Sequence, residues 1–168
     1  MGVVTPVLIL MMVFMLSCGS DASVADFSFT LYQGEDVLEA STVNLTDLLD
    51  KPTVVNFWAG LCPPCRQEMP HFQEFYDEFK GRISFVGIDV GQFTGLGNQG
   101  DARELLSELG VTYPAGFTED FTAVKEYVTG MPTTVFITPD GDVFRSWTGY
   151  LTKDKLTEIT EDMLAAET

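Results

Sequence analysis

The feature that most restricts this chain is a change of hydrophobic period at residue 58. Thr53-Val54-Val55-Asn56-Phe57-Trp58 is β-branched and almost wholly apolar, the pattern of a strand covered on both faces. Beyond it Met69, Phe72, Phe75, Tyr76 and Phe79 recur at helical spacing, one stripe of an amphipathic helix that reads as core packing rather than a cofactor box. A buried strand that turns directly into such a helix points to an α/β domain. Pro70 lies inside the helical pattern, where it removes a donor and crowds the carbonyl of Arg66, so a kink is expected.

The turn between strand and helix carries the chemistry: Trp58-Ala59-Gly60-Leu61-Cys62-Pro63-Pro64-Cys65-Arg66-Gln67-Glu68-Met69-Pro70. At the first turn of a helix the backbone N–H groups are unpaired and the macrodipole is positive, which stabilises a thiolate on Cys62. Cys65, one turn on, is placed to attack a mixed disulfide formed by Cys62, releasing the partner and closing an intramolecular disulfide. No separate cofactor is needed, because the Cys62–Cys65 pair itself carries the electrons. The same spacing is half of a zinc site, but no second pair accompanies it. The chain has one histidine, His71, and three cysteines, the third being Cys18. A copper-carrying role through Cys62, Cys65 and His71 is the competing metal reading, and a thiol peroxidase the competing redox one. The Thr-x-x-Cys setting of a peroxidatic cysteine is absent before Cys62.

These residues, with Gly130-Met131-Pro132-Thr133-Thr134 and Pro139-Asp140-Gly141 downstream, resemble the thioredoxin superfamily and, within it, the TlpA/ResA-like extracytoplasmic thiol-disulfide oxidoreductases. The resemblance covers about Val24 to Ala166. It implies a thioredoxin-like fold, a central mixed β-sheet flanked by helices, with an N-terminal β-hairpin and a central insert. It implies that Met131-Pro132 is a cis-proline turn lying against Cys62, with Met131 backbone groups available to an extended substrate strand. Pro63, Pro64, Leu61 and Trp58 would complete the surface met by substrate. Asn56 stands where plain thioredoxins carry a buried Asp that handles the proton of the second cysteine. Glu68, on or near the face of the cysteines, is the residue to which that task falls in the resembling proteins. Catalytic positions are thus expected at Cys62, Cys65, Glu68 and Pro132. Gly60-Leu61 departs from the small polar residue and Trp usual before the first cysteine.

The remaining chain is read in order. Asp26 to Leu31 and Val37 to Ala40, about the turn Gln33-Gly34, predict the hairpin, and Asn44 to Leu49 a capped short helix. Ile83 to Val90 is the next strand. Gly91 to Gly100 is a glycine-rich connection, expected to be mobile and lacking the Gly-Lys-Ser/Thr of a phosphate loop. Asp101, with Glu104 three residues on, is read as the cap of a helix ending near Gly110. A short strand at Ala115 to Phe117 and a short helix at Phe121 to Val128 complete the insert. Thr133 to Thr138 and Val143 to Gly149 form a closing hairpin, and Thr152 caps a last helix over Lys153 to Ala165. Trp147 is read as packing.

Residues 1–17 carry no charge and include an unbroken apolar run from Val7 to Leu16, too short for the roughly 20 residues that span a bilayer, so they read as a signal peptide. Met15-Leu16-Ser17-Cys18-Gly19 resembles a bacterial lipoprotein box, which makes Cys18 a lipidation site; ordinary cleavage and an uncleaved anchor are the alternatives. The division expected is a leader over 1–17, a tether over 18–25 and a thioredoxin-like domain over 26–168. The tether's short reach suggests a site working near the membrane. Location is then extracytoplasmic and membrane-anchored, in a bacterial periplasm or on the outer face of the cytoplasmic membrane. A formal charge of −16 disfavours nucleic acid, whose phosphates need a basic face. The partners implied are exported disulfide proteins such as apocytochrome c, a membrane thiol-electron donor and the membrane itself. Pro63 and Pro64 supply no N–H to a thiolate, and Glu68 together with the acidic field opposes one, which favours the disulfide and hence a reductant.

Overall fold

The computed structural model describes residues 24–167. The leader, Cys18 and all but the last two residues of the expected tether lie outside the described residues. Seven strands form one sheet in the order β2-β1-β5-β4-β3-β6-β7. Their ranges are β1 Ser28–Gln33, β2 Thr42–Asn44, β3 Thr53–Trp58, β4 Ser84–Asp89, β5 Ala115–Phe117, β6 Thr133–Ile137 and β7 Val143–Thr148. β3, β4 and β5 run parallel, while β6, β7, β1 and β2 each pair antiparallel with their neighbours. The helices are α1 Glu35–Leu38, α2 Pro63–Phe79, α3 Gly91–Thr94, α4 Gln99–Leu109, α5 Phe121–Val124 and α6 Lys153–Ala166.

The period of two in the central strands sorts the core into two layers. Val54 and Trp58 of β3, Phe85 of β4 and Phe136 of β6 pack with Met69, Phe72 and Phe75 of α2, Leu105 of α4 and Leu156 of α6. Val55, Phe57, Val86, Ile88, Val135 and Ile137 pack on the opposite face with Phe27, Phe29, Val43 and Leu45. Phe85 is the hub of the first layer, edge-on to Phe72, Phe75 and Tyr113. α2 continues without a break through Pro70, whose ring is exposed.

Three local expectations change. Of the segment predicted as the second hairpin strand, Val37 to Ala40, the first two residues end the single helical turn α1 and the last two lie outside any strand, and the partner of β1 is Thr42–Asn44. Gly34 adopts φ 94° as the chain enters that turn, with Pro114 so close that a Cβ would stand 2.7 Å from its Cα. The cap of α4 is Asn98, not Asp101: the Asn98 side chain accepts from the Gly100 and Asp101 N–H groups, and Asp101 reaches back to the Asn98 N–H at 2.8 Å. The glycine-rich connection is not a plain loop: Gly91–Thr94 form α3, α4 begins at Gln99, and between them Leu96 O accepts the Leu61 N–H at 2.8 Å.

The insert joins the fold through β5, which lies between β4 and β1 and so unites the first strand pair with the central sheet. At the start of the described residues, Val24 is buried and its N–H donates to Gly141 O at 2.8 Å, while Ala25 N–H donates to the Tyr127 hydroxyl. Gly141 lies in the β6–β7 turn, beyond Ile137, which pairs with the first residue of β3. Deleting the hub ring tests this packing. Phe85→Ala is expected to cost about 3–5 kcal/mol in urea unfolding of the oxidised domain; a loss below about 1 kcal/mol would contradict the central role given to that ring.

Candidate active site

Strand direction assembles the site at one end of the sheet. β3 ends at Trp58, β6 begins antiparallel beside it with Phe57 opposite Thr133, and β7 returns to the same end with Thr148 opposite Thr133. The Cys motif, the Met131-Pro132 turn and the β7–α6 connection therefore converge. Met131-Pro132 is cis, as expected from the motif. Gly60 sits where a Cβ would stand 2.6 Å from Ala102 N and from Asp101 C, so close approach of α4 leaves room only for glycine there. This explains half of the Gly60-Leu61 departure. The other half, Leu61, is 59% exposed beside Cys62.

Cys62 is the N-cap of α2, and Cys62 and Cys65 form a disulfide with Cα atoms 5.3 Å apart. Pro63 and Pro64 fill the first two helical positions. The first helix amide able to donate is Cys65 N–H, which points at Cys62 Sγ at 3.3 Å. The sulfur thus receives a single backbone donor where a proline-free turn could offer more. Both cysteines are buried, Cys62 at 2% and Cys65 at 0% residue exposure.

Glu68 is fully buried. Its Oε1 accepts from Asn56 Nδ2 at 2.9 Å and its Oε2 from Leu151 N–H at 3.1 Å. Burial dominates these two donors and pushes its pKa up to about 8. At neutral pH the carboxyl is mostly protonated. The expected opposition of a Glu68 charge to a thiolate consequently operates only towards and above about pH 8. Below that, Glu68 is a buried acid able to hold or release a proton beside the cysteine pair.

The other anticipated residues divide. Pro63 is exposed, Pro64 and Met131 are partly buried, and Pro132 is buried in the turn. Trp58, expected to face substrate, is instead wholly buried, its indole lying against Gly87, where a Cβ would meet Nε1 at 2.9 Å. As the last residue of a strand covered on both faces it packs beneath the site. His71 lies edge-on to Tyr150, and among the described residues no three His, Cys, Asp or Glu side chains gather as metal ligands. Three contributors went unread in the sequence: Thr134, which accepts from Asn56 Nδ2 at 3.1 Å, the Leu151 amide, and Tyr113, whose buried hydroxyl is pushed up by burial and by Glu68. Only Thr134 had a visible signal, its place two residues after Pro132.

Glu68 holds its proton more tightly in the folded chain than in the unfolded one, so stability falls as pH rises from about 4.5 to about 8. Glu68→Gln removes the ionisation. The oxidised variant is expected to gain on the parent through that window, reaching about 2–5 kcal/mol near pH 9 and least below pH 4. Urea titrations across pH check this; a difference independent of pH would show that Glu68 does not titrate as described.

Comparison with known proteins agrees with this geometry. Residues 21–146 match the AhpC/TSA family. The thiol-disulfide oxidoreductase ResA of Oceanobacillus iheyensis is 33% identical over 80% of this chain and 69% of its own length. ResA of Bacillus subtilis is 29% identical over 91% of this chain and 79% of its own. Among solved structures, a thiol:disulfide interchange protein of the thioredoxin family from Chlorobium tepidum superposes with a TM-score of 0.68 at 23% identity, covering 84% of this chain and 95% of that one. The chain belongs to the AhpC/TSA family and is, within it, a thioredoxin-fold thiol-disulfide oxidoreductase similar to ResA.

Proposed function

We propose that this oxidoreductase works as a reductant of disulfides in exported proteins, apocytochrome c among them, from a lipid anchor on Cys18. The observation that carries the direction is the Cys62 environment: one backbone donor to the sulfur, with Pro63 and Pro64 offering none. A poorly stabilised thiolate leaves the disulfide favoured and the dithiol a donor of electrons.

In the reaction so read, the Cys62 thiolate attacks a substrate sulfur, forming a mixed disulfide and expelling one substrate thiolate. Cys65, its proton passed to the fraction of Glu68 that is ionised, attacks the Cys62 sulfur. The Cys62–Cys65 bond closes and the second substrate thiolate leaves, so two electrons have moved from the protein to the substrate disulfide. An external dithiol, supplied from the membrane, restores the pair. Leu61 and Pro63 are the exposed residues beside the sulfurs and would meet the substrate, with Pro64, Met131 and Pro132 behind them. The apolar leader followed by Leu16-Ser17-Cys18-Gly19 supports export and lipidation. No helix among the described residues is long and apolar enough to cross a membrane.

The reduction potential of the Cys62–Cys65 couple, equilibrated against redox buffers, tests the direction. A value near or below about −250 mV is expected, whereas one near about −120 mV would mark an oxidant and overturn the reading. For the anchor, Cys18→Ala in the full chain is expected to move the protein from the membrane fraction to the soluble one. An unchanged distribution would dismiss lipidation.

A further inference from the structure

Between Val54 and Trp58, on the face of β3 turned towards α2, stands Asn56, wholly buried. Its register neighbours are Gly87 on β4 and Thr134 on β6. A buried amide must place two N–H donors and a carbonyl oxygen. Here Nδ2 donates to Glu68 Oε1 at 2.9 Å and to Thr134 Oγ1 at 3.1 Å, while Oδ1 has no hydrogen-bond partner.

That arrangement suits an ionised Glu68, and the other oxygen shows what a proton would change. Oε2 accepts the Leu151 backbone N–H, which can only donate, so Oε2 is an acceptor in both protonation states. A proton carried on Oε1 would stand at the atom at which Asn56 now aims a donor. Two donors cannot face each other in a dry site. Turning the amide over about Cβ–Cγ relieves the conflict. Oδ1, now unpaired, comes to accept from Glu68 Oε1–H, and the Thr134 hydroxyl, able to donate or accept, reverses with it. Either orientation leaves one end of the amide unpaired, so the proton on Glu68 decides between them.

We propose that Asn56 is a positioning residue whose side-chain amide turns over with the protonation of Glu68, so that the Glu68 carboxyl keeps a hydrogen bond on Oε1 whether or not it carries the proton. The proposal rests on the reading of Glu68 as the proton-handling group for Cys65. It adds the device that lets a fully buried carboxyl exchange that proton without losing its partner. The titratable groups facing Glu68 are few: Cys65 one turn earlier on α2, and Tyr113 from the segment before β5, whose hydroxyl stays neutral. From β3 and β6 come only Asn56 and Thr134, and from the β7–α6 connection only the Leu151 amide.

The test is nuclear magnetic resonance of the oxidised protein through a pH titration, following the Glu68 carboxyl carbon, the Asn56 side-chain amide and the cross-relaxation between the Asn56 amide protons and the Thr134 side chain. The expected result is one shared midpoint, with the Asn56–Thr134 cross-peaks strong on the alkaline side and weakened on the acid side. Cross-peaks that stay constant through the Glu68 midpoint would mean a fixed donor and overturn the proposal. Because the amide serves both forms, Asn56→Leu is expected to move the Glu68 midpoint by less than about one unit, tenfold in proton affinity, and Thr134→Ser, which keeps the hydroxyl, to leave it in place. A rise well beyond about one unit, as loss of a donor to the charged form alone would give, would also overturn it. The pH profile of thiol exchange in the reduced protein separates the two readings. If the amide turns but the profile ignores the Glu68 midpoint, the role of Glu68 in exchange fails and the Asn56 device stands. If the profile follows Glu68 while the amide stays fixed, the device alone fails.

Discussion

A strand covered on both faces has no place for a polar side chain except against another polar group, and β3 is such a strand. Its six residues are all buried, and Asn56 is the one amide among them. The hydrogen bond from Asn56 to Glu68 joins the middle of the sheet to the second turn of α2, and Thr134 and the Leu151 amide complete the attachment from β6 and the β7–α6 connection. Four elements thereby meet at one carboxyl just behind the disulfide. Apolar packing on either side holds the layers together, but this polar contact fixes the rotation of α2 relative to the sheet, and with it the direction in which Cys62 points.

Much of this was legible because it is written in period and punctuation. The apolar run from Thr53 gave β3, the aromatic stripe gave α2, and the Cys and Pro motifs marked where the two functional turns lie. What escaped has physical causes. Val37 to Ala40 contains apolar residues at strand-like density, yet Gly34 in the left-handed region and the acidic pair Glu35-Asp36 start a helical turn there, with Pro114 packed where a Gly34 side chain would stand. Asp101 looked like a cap because Asp often is one; Asn98 takes the cap and leaves Asp101 the reciprocal place. Trp58 looked surface-facing because it adjoins the motif, whereas it ends a strand covered on both faces and is wholly buried. The Leu151 amide carried no signal at all, since a backbone N–H has no letter in the sequence.

The electrostatics of the site differ from those of the whole molecule. The domain is strongly acidic, and its ion pairs are surface contacts such as Arg82 with Glu161 and Lys153 with Glu78. Exposed pairs of this kind contribute little each. Next to the disulfide the balance is set by one acid that burial keeps mostly uncharged near neutrality and by two prolines that withhold donors. Local desolvation and missing N–H groups, rather than net charge, mark the surroundings of Cys62.

The tie between Val24 and Gly141 has a mechanical consequence. It brings the start of the domain to the end of the sheet where β3 begins, and the disulfide lies beyond the end where β3 finishes, about 20 Å away for a six-residue strand. Anything that holds the chain upstream of Val24 grips the domain by its far pole, so that nearness of the leash in sequence becomes distance in space. An anchored domain would carry its sulfurs facing outward like the lamp on a post, and a donor lying flat in the same membrane could reach them only by rising to their height or by the domain leaning over.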